Sequence, residues 1–137
     1  MATNPRVYSF IGVKPISDLE LVHLTEKGLP LTAIDRLRKQ GLTFTEISDV
    51  VISPRTLKHR KARKESLSNV ETERVVRVAR VLELAGQVFG SADKAMLWMR
   101  TADDRLKGRS PMQMLLNEPG GRLVESLLWQ IDEGVYA

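Results

Sequence analysis

Along most of the chain, apolar residues recur at every third or fourth position, which is the spacing of amphipathic helices. Several of these segments open with a capping signal, in which a Ser or Thr side chain accepts a hydrogen bond from a free backbone amide. The signals are Ser17 with Glu20, Thr43 with Glu46, Ser53 before Pro54, Ser68 with Glu71, and Ser110 before Pro111. Another helix is expected over about residues 30–40, where Gly41 can end it. The front part of the chain is therefore predicted to be a series of short helices.

The longest pattern follows Ser68, with apolar residues on two sides of a helix over residues 69–89. A helix that is apolar on two sides is buried between layers, so we expect it to join a front and a back half. The near-continuous apolar block at residues 95–99 is expected to be core. Shorter helices are predicted over residues 92–100, 112–116 and 121–133, with Pro119-Gly120 as a break before the last one. The predicted fold class is all-α.

Composition excludes several kinds of chemistry. The chain has 137 residues, of which 42% are apolar, and this is long enough to bury a core without disulfides. With no Cys and only two His, we expect no thiol nucleophile and no metal site. No catalytic or cofactor-binding motif is present, so we expect a protein that is not an enzyme and needs no cofactor. The chain also lacks a membrane-spanning apolar run and a secretion signal, which predicts a cytoplasmic protein.

Charge is unevenly distributed, although the net charge is only +4. Six Lys and Arg residues and no acid lie between Ser53 and Lys64. Residues 111–137 reverse the sign, with one Arg and four acidic residues. The two regions are therefore expected to suit different partners.

Three consecutive short helices, of which the third is basic and exposed, form the pattern of a helix-turn-helix. The first turn of such a third helix reaches base edges in the DNA major groove, and the cations beside it neutralise phosphates. Val51 lies in the turn that connects the second and third helices, at a position where a helix-turn-helix usually has glycine. Because a β-branched residue disfavours positive φ, this connecting turn is expected to differ locally. The groove-facing candidates are Ser53, Arg55, Thr56, Lys58 and His59, and the phosphate-contacting candidates are Arg60, Lys61, Arg63 and Lys64. The alternative is a basic helix that is only solvated.

The last predicted helix carries a tryptophan on its polar face. Its apolar face is formed by Leu123, Val124, Leu127, Leu128 and Ile131, and Trp129 lies opposite, among Arg122, Glu125 and Gln130. Exposed Trp and Tyr side chains are frequent anchors of protein interfaces. Trp129, with Val135 and Tyr136, therefore indicates an edge that binds a partner. Packing of Trp129 against the N-terminal arm or against a second copy is an equal alternative.

Several of these segments together resemble the Xre/MbcA/ParS-like antitoxins, which pair with RES-domain toxins in bacterial toxin-antitoxin operons. The resemblance covers about residues 28–137. The segments are residues 52–57 (ISPRTL) with the basic run after them, 67–68 (LS), 73–80 (ERVVRVAR), 95–99, 106–111 (LKGRSP), 115–116 and 134–137 (GVYA).

The resemblance implies a homodimer whose front half binds operator DNA through residues 55–61 and whose back half blocks the toxin, an NAD-degrading enzyme. The expected regions are an N-terminal arm and short helix (residues 1–28), a helix-turn-helix region (29–67) and a toxin-binding domain (68–137). The expected fold is an N-terminal helix-turn-helix bundle joined by a long central helix to a C-terminal helical toxin-binding domain. The toxin-binding candidates are Arg122, Glu125, Trp129, Glu133, Val135, Tyr136 and Ala137, the last two near the opening of the toxin's active site.

The hypothesis that follows is an antitoxin that also represses its own operon, with the toxin, operator DNA and a second copy as partners and no membrane contact. One alternative is a stand-alone helix-turn-helix transcription regulator, and another is an adaptor with a structural or polar-localisation role. The apolar surface of residues 69–89 permits a dimer, but an intramolecular core explains the same residues.

Overall fold

A computed structural model describes residues 17–134, which form seven α-helices and two short 3-10 helices. The α-helices are α1 (Asp18–Lys27), α2 (Thr32–Lys39), α3 (Phe44–Val50), α4 (Pro54–Arg63), α5 (Asn69–Phe89), α6 (Ala92–Arg100) and α7 (Glu118–Asp132). The 3-10 helices, Asp104–Leu106 and Met112–Leu116, lie between α6 and α7. This part of the chain contains no β-strand, and the prediction of an all-α fold is confirmed. The arm expected before residue 16 lies outside the described residues.

The predicted capping residues are found where the helices begin. Thr43 and Glu46 form a reciprocal capping box at α3, and Ser68 and Glu71 exchange the same two hydrogen bonds at α5. Ser17 accepts from the amide of Glu20 at α1. The bounds predicted for the long central helix, residues 69–89, are those of α5.

The described chain forms two compact units, residues 17–79 and 80–134, whose boundary falls between Ala79 and Arg80, inside α5. Fully buried residues of α5 lie on both sides of this boundary, Val75 and Val78 before it and Val81 after it. None of the helices formed by the described residues is long and apolar enough to cross a membrane. The region boundaries expected after residues 28 and 67 stay predictions.

A tight connection in the first unit holds the chain between α1 and α2 against the start of α5. The Leu67 amide donates to the Leu29 carbonyl (2.9 Å), and the Leu29 amide donates to the Thr72 hydroxyl (3.0 Å). Gly28 has a φ of +90°, and a Cβ at this position would collide with the Leu67 carbonyl. Glycine is therefore required here by both backbone conformation and space.

The last helix begins earlier than predicted. The expected break at Pro119-Gly120 lies inside the first turn of α7, which starts at Glu118. Proline is tolerated there because amides of the first turn have no partner within the helix. The Asn117 side chain caps this end by accepting a hydrogen bond from the Gly120 amide (2.8 Å).

The apolar block at residues 95–99 is only partly core, which corrects the prediction. Ala95 and Met99 are buried, whereas Leu97 is 70% exposed. Consecutive residues of a helix project about 100° apart, so five in a row cannot all face one side.

Candidate functional site

The helix-turn-helix of the first unit consists of α3, residues 51–53 and α4. The Ser53 side chain accepts a hydrogen bond from the Thr56 amide (3.1 Å), and its hydroxyl donates to the Thr56 hydroxyl (2.9 Å). Pro54 occupies the first position of α4, where its fixed φ suits a helix. These interactions define the N-terminal turn of α4, which is the part of such a helix that approaches base edges.

The turn between α3 and α4 keeps a negative φ, as expected for valine. Val51 is buried, with a φ of −124°, and its amide donates to the Ile47 carbonyl (2.9 Å). The Val51 carbonyl accepts a hydrogen bond from the Arg74 guanidinium on α5 (3.2 Å). Arg74 therefore holds the turn from a distant position in the chain, and the sequence pattern contained no signal for it.

Most of the predicted DNA-contacting side chains on α4 and at its ends are exposed to solvent, and Arg60 is an exception. No residue of α4 is buried, and Leu57 is only half-buried. The exposed candidates are Ser53, Arg55, Lys58, His59, Lys61, Arg63 and Lys64, and Thr56 is half-buried. Arg55, Thr56, Lys58 and His59 line one shallow concavity of about 550 Å³ together with Ala62. The structure therefore brings four of the predicted groove-facing residues together.

Arg60 is the exception, because its guanidinium is held by two carboxylates. Its Nε and Nη2 donate to the two oxygens of Glu71 (2.7 and 3.1 Å), and its Nη1 donates to Glu65 (3.3 Å). Glu71 also accepts from the Ser68 amide (2.8 Å) and is only 7% exposed. Arg60 thus ties the middle of α4 to the start of α5. The sequence identified Glu71 only as a helix cap.

The environment of this pair keeps both groups charged. Burial alone would raise the pKa of the Glu71 carboxyl, but the hydrogen bonds from Arg60 and Ser68 and the Arg60 charge outweigh it. The pKa of Glu71 therefore lies below its ordinary value. The hydrogen bond to Glu71 is also the main reason that the pKa of Arg60 is raised.

The predicted toxin-binding residues of the second unit lie on α7 and beyond it. Trp129 is 49% exposed, and Arg122 and Glu133 are exposed. Glu125 is less accessible because it accepts a hydrogen bond from Arg80 Nε (2.9 Å), and Arg80 Nη2 donates to Glu118 (2.9 Å). The other three candidates, Val135, Tyr136 and Ala137, lie outside the described residues.

The apolar face of α7 is narrower than the sequence pattern indicated. Val124, Leu127 and Leu128 are buried and Ile131 is half-buried, whereas Leu123 is exposed. Leu123 lies at the edge of the face, about 100° from Val124 around the helix. The helix α7 packs against the 3-10 helix Met112–Leu116.

Asp103, the first residue of the acidic pair Asp103-Asp104, has a structural role. Asp103 caps the first 3-10 helix by accepting from the Arg105 amide (2.8 Å), and it pairs with the Arg105 guanidinium (2.7 Å). This hydrogen bonding by Arg105 lowers the pKa of Asp103. Within residues 17–134, no group of three or more His, Cys, Asp or Glu side chains is placed to hold a metal ion.

Comparisons with known proteins match both units. Residues 20–80 match the antitoxin Xre-like helix-turn-helix domain, and residues 84–134 match the antitoxin Xre/MbcA/ParS C-terminal toxin-binding domain. The chain is 36% identical over 118 residues to an antitoxin Xre of Pseudomonas putida, covering 86% of this chain and 74% of that protein. It is 33% identical over 140 residues to an antitoxin Xre of Yersinia enterocolitica, covering 99% of this chain and 95% of that protein.

Proposed function

The chain belongs to the Xre/MbcA/ParS-like antitoxins, and on this premise we propose that it neutralises a cognate RES-domain, NAD-degrading toxin and represses its own operon as a homodimer. The observation that carries the proposal is the separation of two surfaces. The exposed basic helix α4 lies in the unit of residues 17–79, and the Trp129 edge lies in the unit of residues 80–134. Each surface suits a different class of partner.

Operator binding is assigned to the first unit. Ser53, Arg55, Thr56, Lys58 and His59 face the major groove, and Lys61, Arg63 and Lys64 contact phosphates. Because Arg60 is bound by Glu71, its role in this proposal is to position α4. Arg60 would have to lose its contact with Glu71 before its guanidinium could reach a phosphate. A homodimer presents two copies of α4, which matches an operator with two related half-sites.

Toxin binding is assigned to α7 and the segment after it. A half-exposed tryptophan flanked by charged residues has the composition of an interface anchor with a polar rim. Arg122, Glu125 and Glu133 supply that rim, Val135 belongs to the same interface, and Tyr136 and Ala137 reach toward the opening of the toxin's active site. The acidic character of residues 111–137 complements a toxin surface that binds an anionic dinucleotide.

In this proposal the chain acts by contact and carries out no chemistry of its own, so it needs no cofactor. Its partners are the toxin, operator DNA and a second copy. The toxin's substrate, NAD, and operator DNA are both found in the cytoplasm, so the cytoplasm is the proposed location of this chain.

The decisive test is growth of cells induced to make the protein encoded beside this gene, with and without this chain. We expect growth arrest by the neighbouring protein alone and rescue when both are made. Trp129→Ala should weaken binding of the toxin by roughly thirtyfold or more, because truncation of an interface anchor costs about 2 kcal/mol. Leu97→Ala, which truncates another exposed apolar side chain of the same unit, is the control and should rescue fully.

A second pair of substitutions separates the two activities. Replacing Arg55 and Lys58 by alanine should abolish repression of a promoter reporter and leave rescue intact. Absence of arrest, or arrest without rescue, would contradict the toxin assignment and favour a stand-alone helix-turn-helix regulator, for which the basic surface of α4 is sufficient.

A further inference from the structure

An aromatic side chain of the helix-turn-helix is held in solvent. Phe44, the first residue of α3, is 68% exposed. The guanidinium of Arg38 stacks on its ring, with Cζ 3.6 Å from the ring centroid, and Arg38 Nη1 also donates to the Leu42 carbonyl (3.0 Å). A cation-π contact and a hydrogen bond thus fix the position of a large apolar surface that the core does not use.

Phe44 forms one wall of an apolar groove beside the start of α4. The groove has a volume of about 220 Å³ and is lined by Phe44, Ile47, Ile52, Pro54 and Leu57, with Lys58 and Lys61. Ile47 and Ile52 are buried and form its floor. Since Pro54 is the first residue of α4, the groove adjoins the N-terminal turn that carries the proposed base-contacting residues.

We propose that this groove receives the 5-methyl group of a thymine in the major groove of the operator, with Phe44 and Pro54 as its contacts. The inference rests on the proposed operator binding and adds a specificity determinant to it. Apolar contact with the thymine methyl is a direct way for an uncharged side chain to distinguish one base pair from the others. In this arrangement α3 reads sequence together with α4.

The charges around the groove identify duplex DNA as its occupant. Lys58 and Lys61 line it and the Arg38 guanidinium covers one face of Phe44, so cations surround an apolar surface. Among the described residues that line the groove there is no acid. This combination suits a partner with a polyanionic backbone and apolar groups between its phosphates.

Two other exposed apolar residues of the same unit lack this setting. Leu19 and Val22 on α1 are also exposed. The same helix carries the acids Asp18, Glu20 and Glu26, which would repel a phosphate backbone. Leu19 therefore offers a matched control for Phe44.

The test measures binding of the full chain to a fluorescent duplex of its own promoter at one fixed salt concentration. Each thymine of this duplex is replaced in turn by uracil, which removes only the 5-methyl group. We expect about a fourfold loss of affinity at one or two positions per half-site, the value for one buried methyl-sized group. Phe44→Ala should weaken binding to the thymine duplex by about tenfold. The affinity of this variant should not change further when uracil replaces thymine at those positions.

The controls separate the groove from the fold and from operator binding in general. Phe44→Leu retains an apolar wall and should keep part of the uracil effect, while Leu19→Ala should keep both the affinity and the whole effect. Circular dichroism melts verify that each variant is folded, and if Phe44→Ala is not, Phe44→Gln replaces it. An equal uracil effect in the original chain and the Phe44 variants would overturn the inference, as would no effect at any thymine. Failure of the original chain to prefer its promoter over an unrelated duplex would instead refute the proposed operator binding.

Discussion

The Glu71 carboxylate accepts hydrogen bonds from three donors, Arg60 Nε, Arg60 Nη2 and the Ser68 amide. It therefore serves as a helix cap and as the partner of a cation on another helix. A partly buried ion pair of this kind contributes to stability only while both partners are present, because removing one leaves the other desolvated and unpaired. Through Arg60, Glu71 links α4, and with it the basic surface, to α5.

Glu71→Gln is expected to lower the free energy of unfolding by about 2 kcal/mol at neutral pH, since the half-buried Arg60 guanidinium loses the nearer of its two carboxylate partners. The pKa of Glu71 is depressed in the folded state, so its contribution to stability is complete above the unfolded-state pKa and is lost as the pH falls through the folded-state pKa. The difference in the free energy of unfolding between the original chain and Glu71→Gln should therefore shrink below about pH 4. Urea unfolding followed by circular dichroism across this range measures it.

Glu73→Gln, at an exposed position of the same helix, is the control and should cost little at any pH. A difference between Glu71→Gln and the original chain that does not change with pH would contradict the role of the charge.

At the scale of the elements, α7 depends on a close approach at its first turn. Gly120 is buried, and a Cβ there would collide with the Met114 carbonyl of the preceding 3-10 helix. The Asn117 cap and the packing of α7 against that 3-10 helix both require this approach. The close packing at the start of the helix that bears Trp129 therefore requires a residue without a Cβ at position 120.

Gly120→Ala is expected to destabilise the protein by about 2 to 3 kcal/mol, because backbone atoms must move to accept the added methyl group. Gly86→Ala is the matched control, since it adds the same methyl group at an open position inside α5. Alanine favours a helix more than glycine, so the control should stabilise by up to about 1 kcal/mol. Thermal unfolding of both variants tests this, and equal effects of the two substitutions would exclude the proposed collision.

At the scale of the whole molecule, charge is divided between the two units. Six cations lie between Ser53 and Lys64, in the unit of residues 17–79, and four acids lie in residues 111–137. The net charge of +4 therefore understates the affinity of one unit for a polyanion. Binding to DNA should depend on the charges of the first unit alone.

This division predicts how salt affects operator binding. Lys61→Ala and Arg63→Ala should each flatten the plot of log K against log salt by about 0.9 per bound protomer, because each removes one phosphate contact. Lys94→Ala, at an exposed position of α6 in the second unit, should leave the slope unchanged. Fluorescence anisotropy titrations at several salt concentrations measure these slopes. If Lys94→Ala changed the slope as much as Lys61→Ala, DNA would have to contact both units.

Most helix boundaries could be predicted from the sequence because the signals for them are local. A cap such as Ser53 followed by Pro54 acts within one turn, and an apolar stripe needs only its own spacing. The basic surface and the family resemblance could also be identified in the chain without coordinates. The start of α7 was missed because Pro119 is compatible with both a break and a first turn.

The partners of individual side chains were decided only by the tertiary structure. Arg60 finds Glu71 at a separation of 11 residues, and Arg74 finds the Val51 carbonyl at a separation of 23. Likewise, Phe44 and Leu97 are apolar residues within apolar stretches of the sequence. Only the packing of neighbouring helices decides that both side chains are exposed. Helix capping and the periodicity of apolar residues depend on residues close together in the sequence. The exposure of a side chain and the identity of its partner depend on distances that folding creates between remote residues.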